Sequence, residues 1–321
     1  MVLATSILDT IGHTPLVLLD RMHHGSGARI AVKLEYYGPG ASIKDRAALW
    51  AIEAAERSGQ LRPGGTVVEL TSGNMGVGLS VVCAVKGYRM IAVMSAGNSV
   101  ERRQMLQALG AQVELVPQAP GAIPGQVSRE DLDLVEQRAT ALTRELDAFR
   151  PDQFRNVACV RAHEETTGEE IWRDSGGGVT DFVASVGTGG TFIGVARALK
   201  RHQPAVRCYA AEPATAQIIG GRPIITTSHK LQGTGYAAMP PLWDATLCDG
   251  TVGVSDTDAI ATTRTLATVE GIFGGYSGGA NVAAAQQIAR GLHPDDLVIT
   301  LIPDTGLKYL STDLYQIETL P

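Results

Sequence analysis

The sequence has no closely spaced cysteine pair. Its four cysteines, Cys83, Cys159, Cys208 and Cys248, lie far apart with no CxxC among them, which argues against both a disulfide framework and a zinc ribbon. Their apolar neighbours mark them as reduced, structural thiols. Nor is there an excess of positive charge. The 27 Lys and Arg against 33 Asp and Glu leave a formal net charge of −6, so the footprint of a nucleic-acid or membrane-surface binder is missing. Long hydrophobic runs are absent too. Residues 77–85 form the longest beyond the N-terminus and stop at Lys86, far short of the roughly 20 residues a membrane span needs. The first eight residues are apolar but lack a basic leading segment, and Asp9 interrupts them; the expectation is a soluble, cytoplasmic protein. No repeat, low-complexity tract or metal-ligand cluster stands out.

What is present is an ordinary globular composition, 44% apolar and 19% charged, long enough for about two domains. Short apolar strands alternate with helical patterns. Residues 29–34, 66–70, 90–94 and 112–116 read as strands in the first half, and 181–186, 207–211 and 297–302 in the second. Between them, Leu79, Val82 and Cys83 share one helix face that Gly87 stops, and Ser99 is placed to cap a helix over 100–109 that Gly110 ends. The alternation predicts βαβ units and mainly parallel sheets, an α/β fold. The best boundary lies near Arg150. The Pro-rich stretch 117–126 reads as a surface excursion, with a lid segment as the sharper alternative.

Four loops could carry chemistry. In Gly38-Pro39-Gly40-Ala41-Ser42-Ile43-Lys44-Asp45-Arg46, Ser42 and Asp45 fit a capping box. Lys44 then falls at the second helical position, where the helix dipole and Arg46 both favour a neutral amine, as a Schiff-base lysine needs. An exposed first-turn lysine is the commoner outcome for such a residue. Thr71-Ser72-Gly73-Asn74-Met75-Gly76 follows a strand and could hold a carboxylate or a cofactor oxygen; a plain turn capped by Ser72 or Asn74 outweighs that on its own. Gly187-Thr188-Gly189-Gly190-Thr191 also links a strand to a helix. It is neither a Walker loop nor GxGxxG, since Phe192 takes the sixth place, and a phosphate cradle and a structural turn stand equal there. Gly275-Tyr276-Ser277-Gly278-Gly279 matches G-x-S-x-G, the serine-hydrolase elbow. After Ser277 the sole histidine is His293, with no Asp or Glu between, so a hydrolase triad in the order Ser, acid, His cannot be completed.

Taken together the loops resemble the β-family of pyridoxal-phosphate enzymes, and within it the cysteine synthase (O-acetylserine sulfhydrylase) and cystathionine β-synthase group. The likeness runs from Thr10-Ile11-Gly12-His13-Thr14-Pro15 to Gly306-Leu307-Lys308-Tyr309. It includes Lys33-Leu34-Glu35, Glu101-Arg102-Arg103, Gln153-Phe154 and His229-Lys230-Leu231-Gln232-Gly233. Each match is modest; their order and spacing are highly specific. The resemblance implies a two-domain fold type II (tryptophan synthase β-like) enzyme, each domain a mostly parallel twisted sheet flanked by helices. A smaller mobile domain over 42–150 would carry the asparagine and substrate loop. A larger one, 1–41 plus 151–321, would carry the phosphate loop, with the cofactor in the cleft between them.

The implied cofactor is pyridoxal 5′-phosphate. Lys44 would form its Schiff base and move the Cα proton, Asn74 would bond its phenolic oxygen, Gly187, Thr188, Gly189, Gly190 and Thr191 would hold its phosphate, and Ser277 would face the pyridine nitrogen. Thr71, Ser72 and Gln153 would grip the substrate carboxylate, with Met75 beside them and Gly233 near the substrate amine. A serine at the ring nitrogen supplies no negative charge, which suits expulsion of a β-leaving group. The implied reaction is β-replacement on an activated L-serine through an aminoacrylate, giving cysteine or another β-substituted alanine, in a cytoplasmic homodimer. The alternatives are serine or threonine dehydratase-type elimination, cystathionine β-synthase-like condensation with a thiol, and a non-catalytic binding protein on the same fold. Four stretches depart from the family pattern. Met75 stands for Thr; Ser95-Ala96-Gly97-Asn98-Ser99 for Pro-Glu-Thr-Met-Ser; Gly233-Thr234-Gly235-Tyr236-Ala237 for Gly-Ile-Gly-Ala-Gly; and Asn156-Val157-Ala158-Cys159-Val160 for Asn-Pro-Ala-Asn-Pro. Such loops shape a substrate pocket, and the leaving group and nucleophile stay open. His163, His229, Trp172 and Trp243 take structural roles by default, and Cys159 that of a packed thiol.

Overall fold

The computed structural model describes residues 3–22, 27–121, 127–236 and 238–316. The last five residues of the Pro-rich stretch 117–126, and Ala237, lie outside them. In chain order come β1 (Leu16–Leu18), β2 (Arg29–Leu34), α1 (Lys44–Ser58), β3 (Thr66–Leu70), α2 (Asn74–Lys86), β4 (Arg89–Ser95), α3 (Val100–Ala108) and β5 (Gln112–Val116). There follow α4 (Arg129–Glu145), α5 (Val157–Ala162), α6 (Gly168–Asp174), β6 (Asp181–Ser185), α7 (Gly190–His202) and β7 (Arg207–Pro213). The last elements are β8 (Gly250–Val254), α8 (Asp256–Thr265), α9 (Tyr276–Ala289) and β9 (Leu297–Ile302). All seven anticipated strands form. β1 and β8 were not anticipated: one has three residues, and the other carries two glycines and pairs only at a sheet edge. Among the described residues no helix is long and apolar enough to cross a membrane.

The chain divides into two compact units, one of Met1–Ile11 with Gly38–Cys159, the other of Gly12–Tyr37 with Val160–Pro321. The breaks fall at 38 and 159, not at 42 and 150, and the first eleven residues go with the first unit. The segment after Arg150 stays with that unit because Phe149 continues its sheet: it bridges Val67 in parallel and exchanges backbone hydrogen bonds with Val68 and Thr66.

The first unit holds a parallel sheet in the order β3-β4-β5. One face buries Ile52, Leu79, Val82, Cys83 and Leu106 with Met90 and Met94; the other packs Val135, Ala139 and Leu142 of α4 on Val68, Ile91 and Val93. Both faces are covered, which is why these strands read as unbroken apolar runs. The second unit has a six-stranded sheet, β1-β2-β9-β6-β7-β8, antiparallel only at β1. Its α9 is buried along most of its length because it is built from Gly and Ala. A methyl at Gly279 would overlap Thr263 and the backbone of α8.

β6 and β9 pair through only two residues, Asp181↔Val298 and Phe182↔Ile299. Beyond that point side chains replace the ladder. Thr300 Oγ1 donates to the Val183 carbonyl at 2.7 Å, and buried Asn281 accepts from Ser185 N at 2.7 Å and donates to the Leu301 carbonyl at 2.9 Å. The strands therefore part at their carboxyl ends, where these side chains take up the Val183 and Leu301 carbonyls and the Ser185 N–H, and in a parallel sheet that edge is where ligands bind.

Candidate active site

In the first unit Lys44 opens α1. It is the first helical residue, not the second, and Ile43 occupies the cap position with no side-chain cap bond. The anticipated capping box does not form. Ser42 Oγ accepts from Lys44 N at 3.3 Å, while the Asp45 carboxylate turns back into the loop and accepts from Gly40 N at 2.8 Å. Gly38 and Gly40 leave room for it, since a methyl at either would overlap its oxygens. Burial holds the Lys44 amine below the ordinary lysine range. The facing thiol of Cys159 is pushed up to about 12 by burial, against the pull of Lys44. Both shifts favour an uncharged amine beside an uncharged thiol.

The Thr71-Ser72-Gly73-Asn74 turn leaves the carboxyl end of β3. Neither Ser72 nor Asn74 is its cap. Gly73 takes that position, Asn74 is the first helical residue, and the capping oxygen is Thr71 Oγ1, which accepts from Gly76 N at 2.9 Å and Gly73 N at 3.4 Å. Ser72 Oγ accepts from Arg102 Nη1 on α3 at 3.2 Å. The Met75 side chain is 2% exposed and lies in the apolar cluster, so what it can offer a ligand is its backbone N–H at a helix start. Gln153 lies half-buried in the turn before α5.

In the second unit the loop after β6 ends in Gly189, at φ +91°, which caps α7. A methyl at Gly187 would overlap the Gly233 carbonyl oxygen, and Gly233 itself sits at φ +81°. Two glycine turns thus pass each other at backbone distance, and the first N–H groups of a thirteen-residue helix face the loop. Thr191 is held from the side: its Oγ1 meets His163 Nε2 at 3.2 Å, and His163 Nδ1 meets Thr167 Oγ1 at 3.0 Å. His163 is buried and opens a π-helical turn, His163–Thr167, between α5 and α6; Gly194 of α7 lets that turn approach. This orienting histidine was missed because its partner lies 28 residues on and no local pattern links them.

Ser277 is buried in the first turn of α9 and donates to the Gln232 carbonyl at 3.2 Å, next to Gly233. It is fixed at the carboxyl end of β9 by Gly275 N bonding to the Asp304 carbonyl, while the Tyr309 hydroxyl donates to the Asp304 carboxylate at 2.6 Å. His229 Nε2 meets the Gly235 carbonyl at 3.0 Å, bracing the same turn. Trp172 stacks on His202 and Trp243 on Phe192, both structural. All four cysteines are free thiols.

In the first unit a lysine of lowered basicity suits an aldehyde; in the second a glycine cradle at a helix start suits a phosphate. Comparison with known proteins agrees. A family model described as pyridoxal-phosphate dependent enzyme matches residues 7–304. The cysteine synthase of Staphylococcus aureus is 41% identical over 315 residues, covering 98% of this chain and 97% of that protein. Among solved structures, an O-ureido-L-serine synthase is similar with a TM-score of 0.90 and 39% identity, covering 100% of this chain and 98% of that one. The cysteine synthase (OASS) of Entamoeba histolytica matches with a TM-score of 0.90 and 33% identity, over 100% and 93%.

Proposed function

Because the chain belongs to the pyridoxal-phosphate-dependent enzyme family, we propose that Lys44 carries the cofactor of a fold type II enzyme that makes β-substituted alanines from an activated L-serine. The family assignment gives the reaction class, β-replacement, and the cofactor, pyridoxal 5′-phosphate. When bound, that group supplies an aldehyde for an amine to join and a ring that draws electrons from Cα, which eases loss of the Cα proton and departure of the β-substituent.

The residues divide the work. The Lys44 amine, whose basicity burial lowers, would hold the aldehyde group, and its Nζ would take up and return the Cα proton. The loop of Gly187, Thr188, Gly189, Gly190 and Thr191 binds the phosphate through backbone N–H groups and the Thr191 hydroxyl that His163 orients. Ser277 faces the ring nitrogen with a neutral hydroxyl, and Asn74 bonds the phenolic oxygen. Thr71, Ser72, Gln153 and the backbone at Met75 hold the substrate carboxylate, with Gly233 beside the amine. A cytoplasmic homodimer belongs to the same proposal.

The observation that carries it is the placement of Lys44 at the first residue of α1, in a loop whose glycines close around Asp45, with burial lowering its basicity in the same sense. Borohydride reduction of the holoenzyme followed by peptide mapping is expected to place the label on Lys44. Lys44→Ala is expected to lower kcat by about 10²–10⁴-fold, the usual worth of a positioned proton-transfer group. A label on another lysine sinks the assignment. With O-acetyl-L-serine and no nucleophile, steady release of pyruvate as fast as product forms with sulfide would favour the dehydratase reading.

A further inference from the structure

Thr71 and Ser72 are hydroxyls whose oxygens already accept. Two backbone N–H groups point at Thr71 Oγ1, and the Arg102 guanidinium points at Ser72 Oγ. A hydroxyl has one proton and two lone pairs. Once an N–H occupies a lone pair, the proton turns toward some other acceptor. Two donor hydroxyls thereby stand at the carboxyl end of β3, where the first N–H groups of α2 also emerge, and together they match an anionic oxygen pair. Ser72 differs from Thr71 in what polarises it: a cation on another helix, not the local backbone. Leu106 of α3 is fully buried, with its side chain beside Gly76 in the first turn of α2. Met75, with its side chain in the core, adds no hydroxyl.

We propose that Arg102 is a positioning residue for the substrate's α-carboxylate. Its guanidinium fixes the Ser72 oxygen as an acceptor, aims the Ser72 O–H outward, and places a positive charge beside the loop. The enzyme thereby prefers an amino acid over its neutral carboxamide. This rests on the reading of residues 71–74 as the carboxylate grip, and the experiment separates the two.

Holoenzyme carrying Arg102→Met, Arg102→Lys, Ser72→Ala or both Arg102→Met and Ser72→Ala is titrated with O-acetyl-L-serine and with its carboxamide, following the cofactor's absorption spectrum. Steady-state kcat and KM are measured alongside. Arg102→Met is expected to raise the apparent Kd and KM for the acid about ten-fold or more, the worth of a hydrogen bond to a charged group. Binding of the carboxamide and kcat should change little. Arg102→Lys, which keeps the charge without the fork, should recover part of the loss and serves if the Met variant does not fold. The double variant should bind the acid no more weakly than the weaker single one. Equal weakening of acid and carboxamide, or no change in either while Ser72→Ala weakens the acid, overturns the role of Arg102. If Ser72→Ala and Thr71→Val both leave the acid's Kd unchanged, the carboxylate-grip reading itself falls.

Discussion

Glu69 sits two residues before the substrate turn, 2% exposed, with no hydrogen bond to its Oε2 among the described residues. Burial pushes its carboxyl up to about 8 from an ordinary 4.5, against the pull of Arg150. The folded chain therefore keeps a proton that the unfolded chain releases near 4.5. Stability from this group is complete below that pH, falls between 4.5 and about 8, and is level above. The slope approaches ~1.4 kcal/mol per pH unit for one proton. Glu69→Gln should flatten this part of the thermal midpoint's pH profile, and an unchanged slope would show that Glu69 ionises normally. At this scale sequence was a partial guide. Lys44 stood out only through the family resemblance of several loops read together, since its own loop left an exposed first-turn lysine as the commoner outcome. The capping box was not, because Asp45 found a nearer partner in Gly40 N than its own helix start offers. Thr71 as cap and Arg102 as its neighbour's donor were invisible, since the first looks like a strand end and the second lies 30 residues away.

Elements were easier to foresee than their junctions. The parallel strands are covered on both faces, so they announce themselves as apolar runs; β1 and β8 are edges and do not. The π turn at 163–167 was not anticipated from sequence, yet it turns His163 toward Thr191. The phosphate-loop assignment makes a prediction about an element junction. Gly187→Ala puts a methyl into the Gly233 carbonyl, and overpacking of that kind costs about 1–3 kcal/mol. Cofactor affinity, followed by its absorption on dilution, should fall about ten-fold. Gly291→Ala, where the added methyl meets only ordinary contact, should leave it unchanged. His163→Ala should weaken the cofactor in the same assay without the backbone clash, because it removes the bond that holds the Thr191 hydroxyl together with the one to Thr167.

At the scale of the molecule the chain begins in one unit, passes through the other, returns, and crosses again at 159. The domain reading from sequence put a boundary near Arg150, whereas the compact units divide after Cys159. It missed the N-terminal excursion, which carries no signal of its own. This threading sets an order of assembly. β9 lies between β2 and β6 in the middle of the six-stranded sheet, yet it is the last strand made. Residues 38–159 contain every strand of their own sheet and can close it early on the ribosome. The strand at 29–34 must wait, the edge opposite β1 unclaimed, until some 260 further residues have been translated. Stalled nascent chains ending before 297 should accordingly show a protease-resistant core over 38–159 while the rest is digested. Protection of both halves at that length would refute this order. A cell making this enzyme thus holds each copy, for most of its synthesis, with one edge of an apolar strand open, which a chaperone has reason to shield.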